Sequence, residues 1–335
     1  MKAFLQKKDV VISFRRYAID AMGAMTLGLF ASLIMGTIIR EIGIQADVDF
    51  LQQIGQYAFN AAGPAMGVAI AFGLKAPPLV MFAAAGIGVA ANVPGGPVAV
   101  LIATIIGAEL GKIVSKETKV DIIVTPFVTL FIGIGIAMLI RIPIYGFMRT
   151  IGEFIMWSAD LMPALMGGII ALVMGMILTS PISSAAIAVS FGLEGVAAGA
   201  AVAGCAANMI GFAVASYREN KVGGLVSQGL GTSMLQLPNI VKNPRIWIPP
   251  IVASVFAGVF SAVVFSMENI PIGAGMGTSG LVGQFGTLAA MGYTPAVFMQ
   301  IGLVHFLIPA VISLAVSEFM RKKGWIKFGD MKLSA

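Results

Sequence analysis

A chain of 335 residues with 58% hydrophobic and only 11% charged side chains has too little polar surface to cover a soluble core, because soluble domains carry about 25% charged residues. Its mean hydropathy of +0.96 makes lipid the solvent for much of its surface. The formal net charge of +6 fits loop cations of a membrane protein and not a nucleic-acid partner, while a single Cys205 and a single His305 exclude a disulfide framework and a Cys- or His-rich metal site within one chain.

In chain order, the first element is a basic N-terminal stretch, residues 1–17, with Lys2, Lys7, Lys8, Arg15 and Arg16. A full-length apolar span follows without a small-residue cleavage site, so it reads as a retained first helix with Asp20 capping its start. A spanning helix needs about 20 apolar residues, and the pattern predicts spans over 18–39, 54–74, 77–93, 96–114, 121–140, 162–180, 196–215, 246–267 and 296–318. Residues 143–161, with Arg149, Glu153 and Asp160 among aromatics, read as an interfacial amphipathic helix. Two apolar stretches are broken. Residues 181–195 are too few for an ordinary span, and 269–295 are too rich in Gly, Ser and Thr for a plain lipid-facing helix. The expected fold class is an all-α polytopic membrane protein of about ten transmembrane helices with re-entrant or broken hairpins. It forms one membrane-embedded domain over 1–335, ending in a basic tail at 321–335.

Lys/Arg asymmetry orients the spans. The N-terminus, Lys75, Lys112, Lys116 and Lys119 fall on one side under simple alternation, whereas the first loop opposite, Arg40 to Phe50, carries Glu41, Asp47 and Asp49. If 181–195 also crosses, Arg218, Lys221, Lys242, Arg245 and the tail join the first side, leaving only Arg40, Arg141 and Arg149 opposite. Both termini are then cytoplasmic; whether that stretch crosses stays open.

An internal echo supports a possible inverted repeat. Ala69-Ile-Ala-Phe-Gly-Leu-Lys75 resembles Ala188-Val-Ser-Phe-Gly-Leu-Glu194, and downstream Gly88-Val-Ala-Ala-Asn92 matches Gly204-Cys-Ala-Ala-Asn208. Chance matching of Ala/Gly-rich helices is the competing explanation.

Polar groups are costly in hydrocarbon and face cavities or one another. Broken backbone at that depth is tolerated only when buried or lining water. Three segments combine the two features: Ser180 to Glu194, Ser227 to Asn239, and Glu268 to Gln284. In the last, glycines free backbone groups while Glu268, Asn269, Thr278, Ser279 and Gln284 add acceptors, hydroxyls and amides, a chemistry suited to a polyhydroxylated neutral ligand. His305, between Gly302 and Pro309 in the last predicted span, either relays protons, binds a solute hydroxyl or bonds a helix carbonyl. Asn60 precedes Gly63-Pro-Ala-Met-Gly67, where a helix breaks, and joins Glu194 and Asn208 as a cavity-lining candidate. Glu109 with Lys112 reads as a local ion pair. Cys205 reads as small packing. The Gly273-Ala-Gly-Met-Gly-Thr-Ser run lacks the lysine and preceding strand of a nucleotide loop. No catalytic set, metal site or cofactor is expected.

The strings SPISSAAIAVSFGLEG, LVSQGLGTSMLQLPNIVKNPRIWIPP and ENIPIGAGMGTSGLVGQ resemble membrane IIC-type proteins of the bacterial phosphotransferase system. Within that group they are similar to a stand-alone branch often described as perfringolysin O regulator-like, from about Tyr17 to Lys323. The resemblance implies a homodimeric ten-span carrier in the bacterial cell membrane with re-entrant hairpins, 181–194 and 280–284 among them. It also implies a sugar-like solute and separate cytoplasmic IIA/IIB-type partners. At most, such a chain is the membrane component of a protein-N(pi)-phosphohistidine–sugar phosphotransferase. No GITEP-like string is present, and Glu194 and Glu268 are the acidic stand-ins. Two function classes follow: a IIC-like permease translocating a small polar solute, or a membrane sensor that binds a solute and signals to a cytoplasmic regulator without net transport. A channel is disfavoured, since no ring of like charges or apolar gate is visible.

Overall fold

Backbone N–H and C=O groups in lipid have to be satisfied within their own segment, which favours helices over open sheets. The computed structural model describes residues 2–333 and is all-helical, with no strand among the described residues and one isolated antiparallel bridge, Gly195 with Asn269. Among the described residues, six helices are long and apolar enough to cross a membrane: Arg16–Gln45, Gly95–Val114, Asp121–Ala159, Gly195–Ala215, Pro244–Val264 and Pro295–Lys322. Three shorter apolar helices, Ala62–Gly73, Pro78–Asn92 and Pro163–Thr179, accompany them. The protein is a polytopic helical membrane protein.

Several expected elements take a different form. The 54–74 span is two helices, Asp49–Asn60 and Ala62–Gly73, because Pro64 lacks an N–H and its ring crowds the carbonyl of Asn60. Arg40 and Glu41, expected in a loop, lie in the helix that runs to Gln45; the turn comes afterwards, with Asp47 at φ 54°. Asp20 is exposed one turn inside Arg16–Gln45 and so does not cap it. Residues 143–161 are continuous with the preceding span in Asp121–Ala159, which carries Pro126 and Pro143 internally. Residues 181–195 form the short helix Ser184–Ser190 and a turn. At 1.5 Å per residue, its 7 residues fall far short of the hydrocarbon core.

The chain divides into two compact units, residues 1–147 and 148–335. In the first, Ala62–Gly73 packs on Pro78–Asn92 through glycines: a Cβ on Gly88 would lie 2.0 Å from the Gly63 oxygen. A buried charge cluster closes one end of this unit. Lys112, 1% exposed, donates to the carbonyls of Asp9 (2.6 Å) and Leu74 (3.0 Å) and pairs with Glu109 at 3.1 Å, as its sequence spacing suggests. Arg16 grips Asp9 with two nitrogens, at 3.2 and 2.5 Å, which holds the Asp9 carboxyl below the usual carboxylate range. That contribution is present at neutral pH and fades as acid protonates Asp9 through its depressed pKa. Lys112→Met is expected to lower the apparent melting temperature of the solubilised protein, since breaking a buried pair costs about 3–5 kcal/mol. Adding Glu109→Gln should recover part of the loss. A single variant as stable as the parent would show that the ammonium does not fix this corner.

In the second unit, Gly195–Ala215 is the hub, packed against Pro163–Thr179, Pro244–Val264 and Pro295–Lys322. Small residues permit this: a Cβ on Gly204 would sit 2.0 Å from the Ala171 oxygen, and one on Gly199 1.8 Å from the Met267 oxygen. The two Gly-x-Ala-Ala-Asn copies therefore each seat a helix against an earlier one within their own unit. Their upstream partners both run a helix into a turn, after Gly73 and after Ser190.

Candidate functional site

The site candidate lies in the second unit, where all three glycine- and hydroxyl-rich segments meet. Ser184 Oγ donates to the Gly275 oxygen at 2.6 Å, Asn269 N to the Gly195 oxygen at 3.2 Å, and Thr278 Oγ1 to the Gly229 oxygen. The turn and short helix at 181–195, the irregular 227–236 segment and the 268–291 hairpin thus share one framework. Glycine is required at its tip: Gly277 has φ 56°, and a Cβ there would lie 2.8 Å from the Cys205 carbonyl carbon on the hub helix.

Asn269 braces the hairpin from inside. Its Nδ2 donates to the Gly283 oxygen (2.7 Å) and Thr287 Oγ1 (2.9 Å), and its Oδ1 accepts from Ile270 N (2.8 Å). Gly273 and Gly286 let the two arms close around that side chain, since a Cβ on either would lie 2.3 Å from Oδ1. The chain then reverses through two left-handed residues, Gly280 (φ 53°) and Leu281 (φ 61°), before the helix Val282–Met291. A leucine in that region is strained, and such strain persists only where surrounding contacts impose it. The reversal fixes the start of the helix that bears Gln284.

Gln284 and His305 form the chemical centre. Their side chains meet at 3.1 Å, Gln284 nitrogen to His305 Nδ1, with Gln284 6% and His305 0% exposed. Gln284 Oε1, His305 Nε2 and Ser279 Oγ are buried without a hydrogen-bond partner in the protein. Leaving a buried donor or acceptor unpaired costs about 1–3 kcal/mol each. No ion pair involves His305, and no group of three His, Cys, Asp or Glu side chains that could hold a metal occurs, among the described residues. Amide O and N assignment follows the bonding network, and either orientation has the same outcome. If the amide N–H₂ faces Nδ1, then Nε2 carries the proton and the amide oxygen is a free acceptor. If the oxygen faces Nδ1–H, then Nε2 is the free acceptor and the amide a free donor. The pair leaves one donor and one acceptor unpaired, the complement of a hydroxyl.

The other sequence candidates lie differently. Asn208 is buried and fully engaged: its Oδ1 accepts from Trp247 Nε1 (3.0 Å) and Thr179 Oγ1 (3.2 Å), and its Nδ2 donates to Ser254 Oγ (2.7 Å). It ties three helices together. Thr278 is spent on Gly229. Glu194 and Glu268 are both exposed, Glu194 at the N-cap of the hub helix. Asn60 is exposed at a helix end in the first unit and accepts from Gln56 Nε2 at 2.8 Å. Thr287, not singled out from sequence, and Gln228 and Gln236, noted only as part of the Ser227 to Asn239 segment, prove integral to the framework; polar side chains in an apolar stretch were the available signal.

The family model described as phosphotransferase system, EIIC matches residues 19–333. No curated protein and no solved structure matches the chain. A match across nearly the whole sequence, on a glycine-packed helical membrane fold with a broken hairpin around buried polar groups, means that the chain belongs to the EIIC family of the phosphotransferase system.

Proposed function

We propose that the protein is a sugar-binding permease of the EIIC type whose ligand hydroxyls bind at Gln284, His305 and Ser279, with Asn269, Asn208 and Thr278 holding the frame. The observation that carries this reading is the buried Gln284–His305 pair, whose remaining donor and acceptor are unclaimed by protein. The pair is neutral in composition and lacks a carboxylate partner, which favours a hydroxylated, uncharged solute over an ion. The N-terminus faces the cytoplasm by the distribution of lysine and arginine in the first unit. Phosphorylation would be supplied by separate cytoplasmic IIA/IIB-type proteins, and the permease would work as a homodimer.

A thermal-shift screen of the solubilised protein against hexoses, hexitols and their phosphates identifies the ligand, because bound solute raises stability by mass action. Proteoliposomes preloaded with that solute should then exchange labelled solute in counterflow. Binding at the same site without any exchange would reject the permease and leave a solute sensor.

A further inference from the structure

Residues 330–333 are fastened to the rest of the second unit by a set of side-chain amides. Among the described residues beyond the last helix, which ends at Lys322, only Ile326 and Met331 are buried, at 2% and 0% exposed, seated among Phe212, Ile240, Ile246 and Met320. Between and beyond those anchors, side chains read the tail's backbone. Asn220 Nδ2 and Gln236 Nε2 both donate to the Met331 oxygen, at 2.8 and 2.9 Å, and Asn239 Nδ2 donates to the Lys332 oxygen at 2.9 Å. Asn220 Oδ1 accepts from Leu333 N at 2.9 Å, and Asn243 Nδ2 donates to Asp330 Oδ2 at 2.8 Å. The base of the tail is pinned by Arg321, whose Nη2 lies 2.8 Å from Glu219 Oε1 on a fully buried side chain.

This ladder does not end at the tail. Gln236 Nε2, besides holding Met331, donates to Gln228 Oε1 at 2.8 Å, and Gln228 Nε2 donates to Ser216 Oγ and the Gly224 oxygen, both at 2.9 Å. Gln228 and its neighbour Gly229 belong to the irregular turn Ser227–Gly231, and the Gly229 oxygen takes the hydroxyl of Thr278, next to Ser279 at the hairpin tip. Two sets of hydrogen bonds, joined through the backbone between Gln228 and Gly229, therefore lead from the tail to the segment that carries Ser279 and Gln284. Buried amide networks of this kind stand or fall together, since a half-satisfied member is costly.

We propose that residues 323–333 are a strap that holds the hairpin tip closed, so that lifting the strap loosens the 227–231 turn and opens the Ser279–Gln284 segment. Two buried side chains and a few amide bonds are a modest hold, of the kind that opens locally below the global unfolding free energy. The proposal concerns the hairpin's mobility and stands whether or not the solute is a sugar.

The test places one reporter at the tip. Ser279→Cys is made in a Cys205→Ala background, and its labelling by a soluble maleimide is timed with the strap intact and weakened. Two weakened forms are used: Met331→Ser, and Asn220→Leu with Asn239→Leu. Hydrogen exchange of the 323–333 peptide reports strap release, and gel filtration with melting temperature reports the fold. Strap amides exchanging faster together with a tenfold or greater rise in labelling rate is the expected result. Strap release with unchanged labelling in a folded variant would overturn the coupling. A strap that stays protected in both folded variants would overturn the assignment of these contacts as its hold. Met331→Ser, the milder change, keeps the experiment decisive where the double variant does not fold.

Discussion

Gly204→Val is expected to leave little or no folded protein in detergent. A Cβ at this position would lie 2.0 Å from the Ala171 oxygen and 2.5 Å from its carbonyl carbon. The obstacle is backbone, so no rotamer change relieves it, and the hub helix would have to separate from Pro163–Thr179. That separation also strains the bonds Asn208 makes with Thr179 and Trp247. Overpacking a well-fitted interior costs about 1–3 kcal/mol even where neighbours can yield, and here they cannot. Membrane helices associate chiefly by such close contact at small residues. Gly135→Ala, in the Asp121–Ala159 helix, is the control: a Cβ there meets nothing within 4 Å, and alanine should be neutral or stabilising by about 0.4–1 kcal/mol. Yield and melting temperature of the two variants check this. A monodisperse Gly204→Val protein melting near the parent would mean that the helices do not approach as closely as described.

The second large effect is on the ligand. Gln284→Leu and His305→Leu should each weaken solute binding about 10- to 100-fold. A lost hydrogen bond together with an unpaired ligand hydroxyl is worth about 1.5–3 kcal/mol, and about 1.4 kcal/mol is tenfold. The double variant should bind little worse than either single one, since both side chains serve the same hydroxyl and their effects do not add. Stability separates this from a purely structural role. Each single change leaves its partner's polar atom unpaired at the 3.1 Å contact and lowers the apoprotein melting temperature. The double leucine variant removes both polar groups, and such a replacement is close to neutral. A double variant that regains parental stability but loses the ligand-induced shift supports the site. One that retains the shift would remove Gln284 and His305 from the ligand.

The same pair shows how far sequence reading reaches. Gln284 and Ser279 stood out because hydroxyls and amides beside Gly273, Gly275, Gly277 and Gly280 are out of place in a lipid-facing helix. His305 was conspicuous as a lone polar ring in an apolar span. Their pairing was not legible, since Gln284 and His305 lie on different helices and nothing local records the contact. Asn269 and Asn208 were as conspicuous as Gln284, yet their polar atoms are engaged with protein. Residue type announces a need for partners and does not say who meets it. Glu194 and Glu268 attracted notice as acidic residues near the broken segments, and both are exposed.

The spans themselves were set by hydropathy, because a bilayer demands about 20 apolar residues and breaks where proline or glycine removes a donor or a Cβ. Thus the sequence alone determined a polytopic helical membrane protein, its principal helices, and the three glycine- and hydroxyl-rich segments where regular helix fails. Tertiary structure alone decided which buried polar atoms are spent on the fold and which are left without a partner in the protein. It also decided that the basic tail is strapped to the second unit by Asn220, Gln236 and Asn239. The reason is physical: burial and helix propensity follow from side chains close in the chain, whereas hydrogen-bond satisfaction depends on groups brought together from far apart.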